Sequence, residues 1–214
     1  MIRTLLVAVL SLTAGRLVAQ TLAPAGVISV GSTRVRSQLA SGTSQFSGAV
    51  VGGNGTLTFG RLQLELSYVQ GKIDSVGVTG PGHDLVEGSA LLGVRTFPWL
   101  TIAVGPHARS YSFTSGTQRW VFWEFRARAA GAFVGSAARG YVELWRVLSA
   151  DVNVPETFDH AQGGEAGMIL RFTRAPLQAR LAYRMDHTVL RSALGGTRLE
   201  TVDGLVVGFG LDWH

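Results

Sequence analysis

The chain has 214 residues, of which 46% are hydrophobic, 15% charged and 28 glycine; it has no cysteine and a formal charge of +5, with Lys72 as its one lysine. That length allows a single domain, and the absence of cysteine excludes disulfides, thiolate chemistry and a lipoprotein anchor. The basic residues are scattered singly instead of forming a block or a helix face, which argues against nucleic acid as a partner.

In chain order, the first element is a leader. Arg3 supplies a positive start, Thr4 to Ala14 an apolar run, and Leu17-Val18-Ala19 a small-residue cleavage site before Gln20. Residues 1–19 therefore read as a cleaved secretory signal and 20–214 as the mature domain. The apolar run is shorter than the about 20 residues that a membrane-spanning helix needs, and no later segment supplies such a span.

The remainder alternates with a period of two. In Leu62-Gln63-Leu64-Glu65-Leu66-Ser67-Tyr68 the apolar side chains fall on one face and Gln63, Glu65 and Ser67 on the other; Leu177 to Met185 repeats the split with Arg180 and Arg184 opposite Leu177, Leu181, Tyr183 and Met185. An amphipathic helix does not produce this spacing. The same template predicts strands at roughly 26–39, 44–59, 62–74, 84–97, 100–113, 119–133, 139–150, 163–174, 177–187 and 198–213. If the first two did not span, eight would remain.

Connections alternate in length. Phe59-Gly60-Arg61, Phe97-Pro98-Trp99 and Arg174-Ala175-Pro176 read as tight turns, whereas 75–83, 151–162 and 188–197 are longer and polar. Each tight turn follows an even-numbered strand, so both termini are expected at the tight-turn end. Aromatic residues gather near predicted strand ends. Phe59, Phe97, Trp99, Phe172 and Trp213 lie toward one end and Tyr68, Phe113, Trp120, Trp123 and Tyr183 toward the other, the depth that amphipathic rings prefer at membrane interfaces. A secreted sandwich would carry a polar outer face. Here the apolar face is the continuous one.

The leader, the alternating strands, the rhythm of tight turns and long loops, and the final strand Leu205, Val207, Phe209, Leu211 and Trp213 together resemble the small outer-membrane β-barrel proteins of Gram-negative bacteria. The resemblance implies an all-β, antiparallel up-and-down transmembrane barrel. It also implies contact with outer-membrane lipid and lipopolysaccharide, and recognition of the last strand by the barrel-assembly machinery. His214, after Trp213, departs from the class pattern of an aromatic final residue. No cofactor or metal site is expected.

Alternate residues assigned to the lumen are Glu65, Glu87, Arg95, His107, Arg109, Glu124, Arg126, Arg128, Glu143, Glu165, Arg171, Arg180, Arg184, Asp186 and Glu200. Acids and bases nearly balance, which points to an interlocked network that holds the strands in register and plugs a narrow lumen. The alternative is a constriction passing small solutes or ions. His83-Asp84, Asp151, Asp159-His160 and Asp186-His187 near the rim resemble the acidic and Asp-His pairs of the omptin proteases, a third possibility. Arg146 is expected among Val142, Leu144 and Leu148 on the lipid face, where a midplane arginine costs about 2–4 kcal/mol.

Overall fold

The fold comes from a computed structural model that describes residues 22–39, 42–77, 82–113, 116–135, 137–172, 174–192 and 196–212. The leader, Trp213 and His214 lie outside the described residues. Ten strands follow one another: β1 (Leu22–Leu39), β2 (Gly42–Phe59), β3 (Leu62–Ser75), β4 (His83–Phe97), β5 (Leu100–Phe113), β6 (Gly116–Val134), β7 (Ala138–Val152), β8 (Thr157–Arg171), β9 (Leu177–Arg191) and β10 (Thr197–Asp212). Each pairs antiparallel with its neighbours in sequence, and β1 pairs with β10 from Ala25↔Asp212 to Gln38↔Leu199, which closes the barrel. Closure leaves no sheet edge whose backbone groups must find a partner elsewhere.

The first hairpin is a full member of the wall, paired from Leu22↔Phe59 to Leu39↔Gly42, so the count is ten and not eight. The tight-turn end also holds the described chain ends and is called the terminal end below; the other is the distal end. At the terminal end Gly60 takes φ 60°, a left-handed value that a side chain resists, and this lets β2 reverse directly into β3. The largest departure from the expected strands is β8, which begins at Thr157 and not near 163. A register shift between Phe158 and His160 breaks its alternation, so the stretch reads as a loop although Phe158 points inward against Phe122.

Strand length exceeds what a bilayer requires. A spanning strand needs about 9–11 residues, whereas these run from 14 in β3 to 19 in β6. The surplus lies distally, and there the polarity of the two faces exchanges. On β3 the outward residues Leu62, Leu64, Leu66 and Tyr68 give way to Gln70, Lys72 and Asp74, while the inward Gln63, Glu65 and Ser67 give way to Val69 and Ile73. On β10 and β9 the outward Leu205, Val207, Phe209, Leu211, Leu181 and Tyr183 are exposed; farther along, Asp203, Thr201 and His187 occupy the same outward parity.

The apolar belt around the terminal part of the barrel is a membrane-facing surface; Ile28 is 78% and Phe209 65% exposed, and a water-soluble monomer does not carry a continuous apolar girdle of this kind. The continuous apolar face expected from sequence therefore holds only within the belt. Beyond it the barrel is built like a soluble protein, with Val35, Val50, Ile73, Leu85, Trp120, Phe122, Leu190 and Val202 forming an apolar core inside. The boundary is testable on one strand. Leu66→Arg should destabilise the lipid-inserted barrel by about 2–4 kcal/mol and Gln70→Arg by less than about 1 kcal/mol, as read from denaturant unfolding in vesicles.

Candidate functional site: the lumen

Period-2 geometry sends one parity of each strand inward, and this parity gathers ionisable residues into a connected array. Arg109 pairs with Glu87 and, at 2.8 Å, with Asp186. Arg184 reaches the same two carboxylates at 3.2 and 2.8 Å. Trp145 Nε1 donates to Asp186 at 2.7 Å. His107 Nδ1 lies 2.7 Å from Glu124, and its Nε2 is 3.8 Å from Glu87.

Toward the terminal end, Arg126 bridges Glu124 and Glu143 at 2.7 and 3.1 Å. Arg128 joins Glu143 to Glu65 at 2.5 and 3.1 Å. Arg180 pairs with Glu165 and donates from Nε to the Tyr141 oxygen at 2.7 Å, while the Tyr141 hydroxyl donates to Glu165 at 2.6 Å. The rings act as spacers between like charges. Trp145 has the Arg126 and Arg184 guanidiniums each 5.1 Å from a ring centroid, and Tyr141 has Arg128 and Arg180 at 5.4 and 5.6 Å.

The rings fit because β8 is bare beneath them. A Cβ on Gly163 would fall 2.5 Å from the Trp145 indole, and one on Gly167 the same distance from the Tyr141 ring. A separate, distal cluster centres on Glu200, which accepts from Tyr111 at 3.0 Å and from Arg198 at 3.1 Å; Arg198 also donates to Ser37 at 3.0 Å. Glu156, on the β7–β8 connection, comes within 3.6 Å of Arg198.

Most residues assigned inward from the sequence meet here. Arg95 stands exposed at the terminal end of β4, and Arg171 lies half-buried at that end of β8. Arg198, Tyr141 and Trp145 are members beyond the residues assigned from sequence. Each shares parity with an assigned glutamate two positions away, a signal open to reading, but charge alternation alone selects neither rings nor residues at strand ends.

Two aromatic assignments need correction. Trp120 is 0% exposed inside the barrel and Phe113 also faces inward, against His83. A regular strand cannot put positions 120 and 123 on one face; Trp123 is the outward one, with Phe59, Tyr68, Phe97, Trp99, Phe172 and Tyr183 also exposed.

Arg146 does face outward, but it lies as far along β7 from Ala138 as Gln70 lies along β3 from Leu62. Its β8 partner is the polar Gln162. With the outward Phe125 as its β6 partner and the exposed Leu148 beyond it, Arg146 sits near the distal edge of the belt. The bulge at Leu148 and Ser149, where Trp123↔Ser149 follows Glu124↔Val147, restores inward parity beyond it.

The Asp-His pairs fall within strands. Neighbouring residues point to opposite faces, so Asp186 is in the lumen while His187 is outside, 3.3 Å from the Thr201 hydroxyl; His83 is inside and Asp84 outside. Only at the β8 bulge do both members meet, Asp159 being 3.0 Å from His160 and 2.8 Å from Arg191.

No protein-family model matches this chain, and no curated protein matches it. Among solved structures it is similar to Neisserial surface protein A, at 10% identity over 88% of this chain and 99% of that one with a TM-score of 0.40. It is similar also to the translocator domain of the autotransporter NalP from Neisseria meningitidis, at 10% identity over 95% and 93% with a TM-score of 0.44. A third is an anion-selective porin from Comamonas acidovorans, at 15% identity over 80% of this chain and a TM-score of 0.35. This chain spans about half of that porin, 55% of its length.

Proposed function

We propose that the protein is an integral barrel of the bacterial outer membrane, exported by its cleaved leader, whose lumen is closed and whose role is structural or surface-exposed and not conductive. In this reading the terminal end faces the periplasm and the polar distal collar stands in the lipopolysaccharide headgroup zone, where the outward Arg34, Arg36, Arg146 and Arg191 meet lipid phosphates. The apolar parity of the last strand, Leu205 to Leu211 with Trp213 beyond it, is the element offered to the assembly machinery.

The observation that carries the closed lumen is the stacking of two different seals. The ion-paired layer leaves a void of about 20 Å³ beside Glu65, Arg126 and Arg128, room for about one water. Distal to it, Ile73, Leu85, Trp120 and Leu190 fill the bore as a fully buried apolar layer. An ion crossing it would lose its hydration without compensating ligands.

Purified protein in planar bilayers should show no steady single-channel steps. Steady ion-selective steps would overturn this reading in favour of a narrow pore. Fractionation with outer membranes and a heat-dependent gel mobility are the expected cellular signs, and recovery in the soluble fraction would contradict the location.

A further inference from the structure

Among the described residues, the distal mouth above the apolar layer is not filled. A cavity of about 240 Å³ opens there, walled by Val35, Phe46, Ile73 and Phe113 and edged by Ser44 and Gln118. Tyr111, Glu200 and Arg198 also line it, and the Arg198 guanidinium stands 6.0 Å from the centroid of the fully buried Trp120 ring. Because Arg198 and Glu200 are paired with each other and Tyr111 donates to Glu200, this polar part of the lining presents no free charge.

One wall residue does not belong to an ordinary apolar cup. His83 is held edge-on to Phe46, with ring centroids 4.7 Å apart, and tilted against Phe113 at 4.4 Å. It is nine-tenths buried, and its Nδ1 has no hydrogen-bond partner among the described residues. An imidazole placed between two phenyl rings with a ring nitrogen unsatisfied is costly in a closed core. Nδ1 is closed off from the cavity, which the imidazole lines as a polar ring set between two phenyl rings.

We propose that this cavity is a binding site for a small, uncharged aromatic molecule with one hydrogen-bonding group, of the size of a phenol or an indole. The rings of Phe46 and Phe113 supply the edge and face contacts that an aromatic plane prefers. The His83 ring supplies the polar contact that orients it. A carboxylate is disfavoured because the Arg198 charge is already spent on Glu200. The site goes beyond the structural role proposed above.

The test is a ¹⁹F NMR titration of the protein in lipid nanodiscs with 4-fluorophenol, with fluorobenzene and 4-fluorobenzoate for comparison. A saturable shift is expected with 4-fluorophenol, a weaker one with fluorobenzene and none with 4-fluorobenzoate. His83→Phe should weaken 4-fluorophenol binding about tenfold, as for the loss of one hydrogen bond, and leave fluorobenzene unaffected. Ser44→Trp, a change at the exposed rim that narrows the mouth without touching the core, should abolish binding of both.

The heat-dependent gel mobility of each variant reports folding, and if His83→Phe does not fold, Ser44→Trp decides. Only non-saturable partition into lipid, a shift that survives Ser44→Trp, or equal binding of fluorobenzene and 4-fluorophenol would overturn the proposal.

Discussion

Arg109→Met should lower the unfolding free energy of the lipid-inserted barrel by about 3–5 kcal/mol, measured by urea titration in vesicles. The guanidinium is 2% exposed and is shared between Glu87 and Asp186. Methionine fills similar volume but leaves two carboxylates in the wall of a narrow lumen with one fewer cation. The loss belongs nearer the lower figure, because Arg184 still reaches both acids and Trp145 still donates to Asp186. Adding Glu87→Gln to Arg109→Met should recover part of it, since the second change removes the charge that the first left uncompensated. A loss below about 1 kcal/mol would mean that the array is screened like a surface ion pair and that water fills the lumen, which would count against the closed bore.

A comparable loss, about 3–5 kcal/mol, is expected for Trp120→Ala, the largest truncation available in the apolar layer. Trp120 packs on Phe122 at 6.1 Å and supports Arg198 from beneath, so its removal leaves both a cavity and an unsupported guanidinium. Trp123→Ala, three positions on and outward, removes a lipid contact and leaves no internal void, so its effect should be clearly smaller. Equal effects for the two would contradict the inward placement of Trp120. The same pair of variants tests the seal, because a bore widened at Trp120 is the place where conductance should first appear.

How much of this was legible beforehand depends on the range over which each feature is decided. Leu62 to Tyr68 shows its alternation in seven residues, and the inward parity of Glu65, Glu124 and Arg180 follows from it directly. The outlying strand start at Thr157 was not legible, because the bulge at Asp159 interrupts the period on which such a reading depends. Trp120 was misplaced for a different reason: an aromatic near a strand end suits a membrane interface by type, and only its parity shared with Glu124 and Arg126 shows that it faces inward. The exchange of polarity beyond Tyr68 is written in Val69-Gln70-Gly71-Lys72-Ile73. Without knowing where the bilayer stops, those residues pass for a weakening pattern and not for a second, soluble-type core.

The sequence by itself determined what is local: the period of two, the turns at Gly60 and Pro98, and a near-balanced stock of inward acids and bases. It did so because backbone pleating needs no distant partner to send alternate side chains to opposite faces. Only the tertiary structure decided which charges meet. Arg128 and Glu65 are 63 residues apart in the chain, Arg109 and Asp186 77, and Tyr111 and Glu200 89. Those contacts cross the lumen, and they are fixed by strand register and by the closure of β1 on β10, quantities that no stretch of sequence contains alone. The cavity at His83 was settled in the same way, since its lining comes from strands brought together by closure.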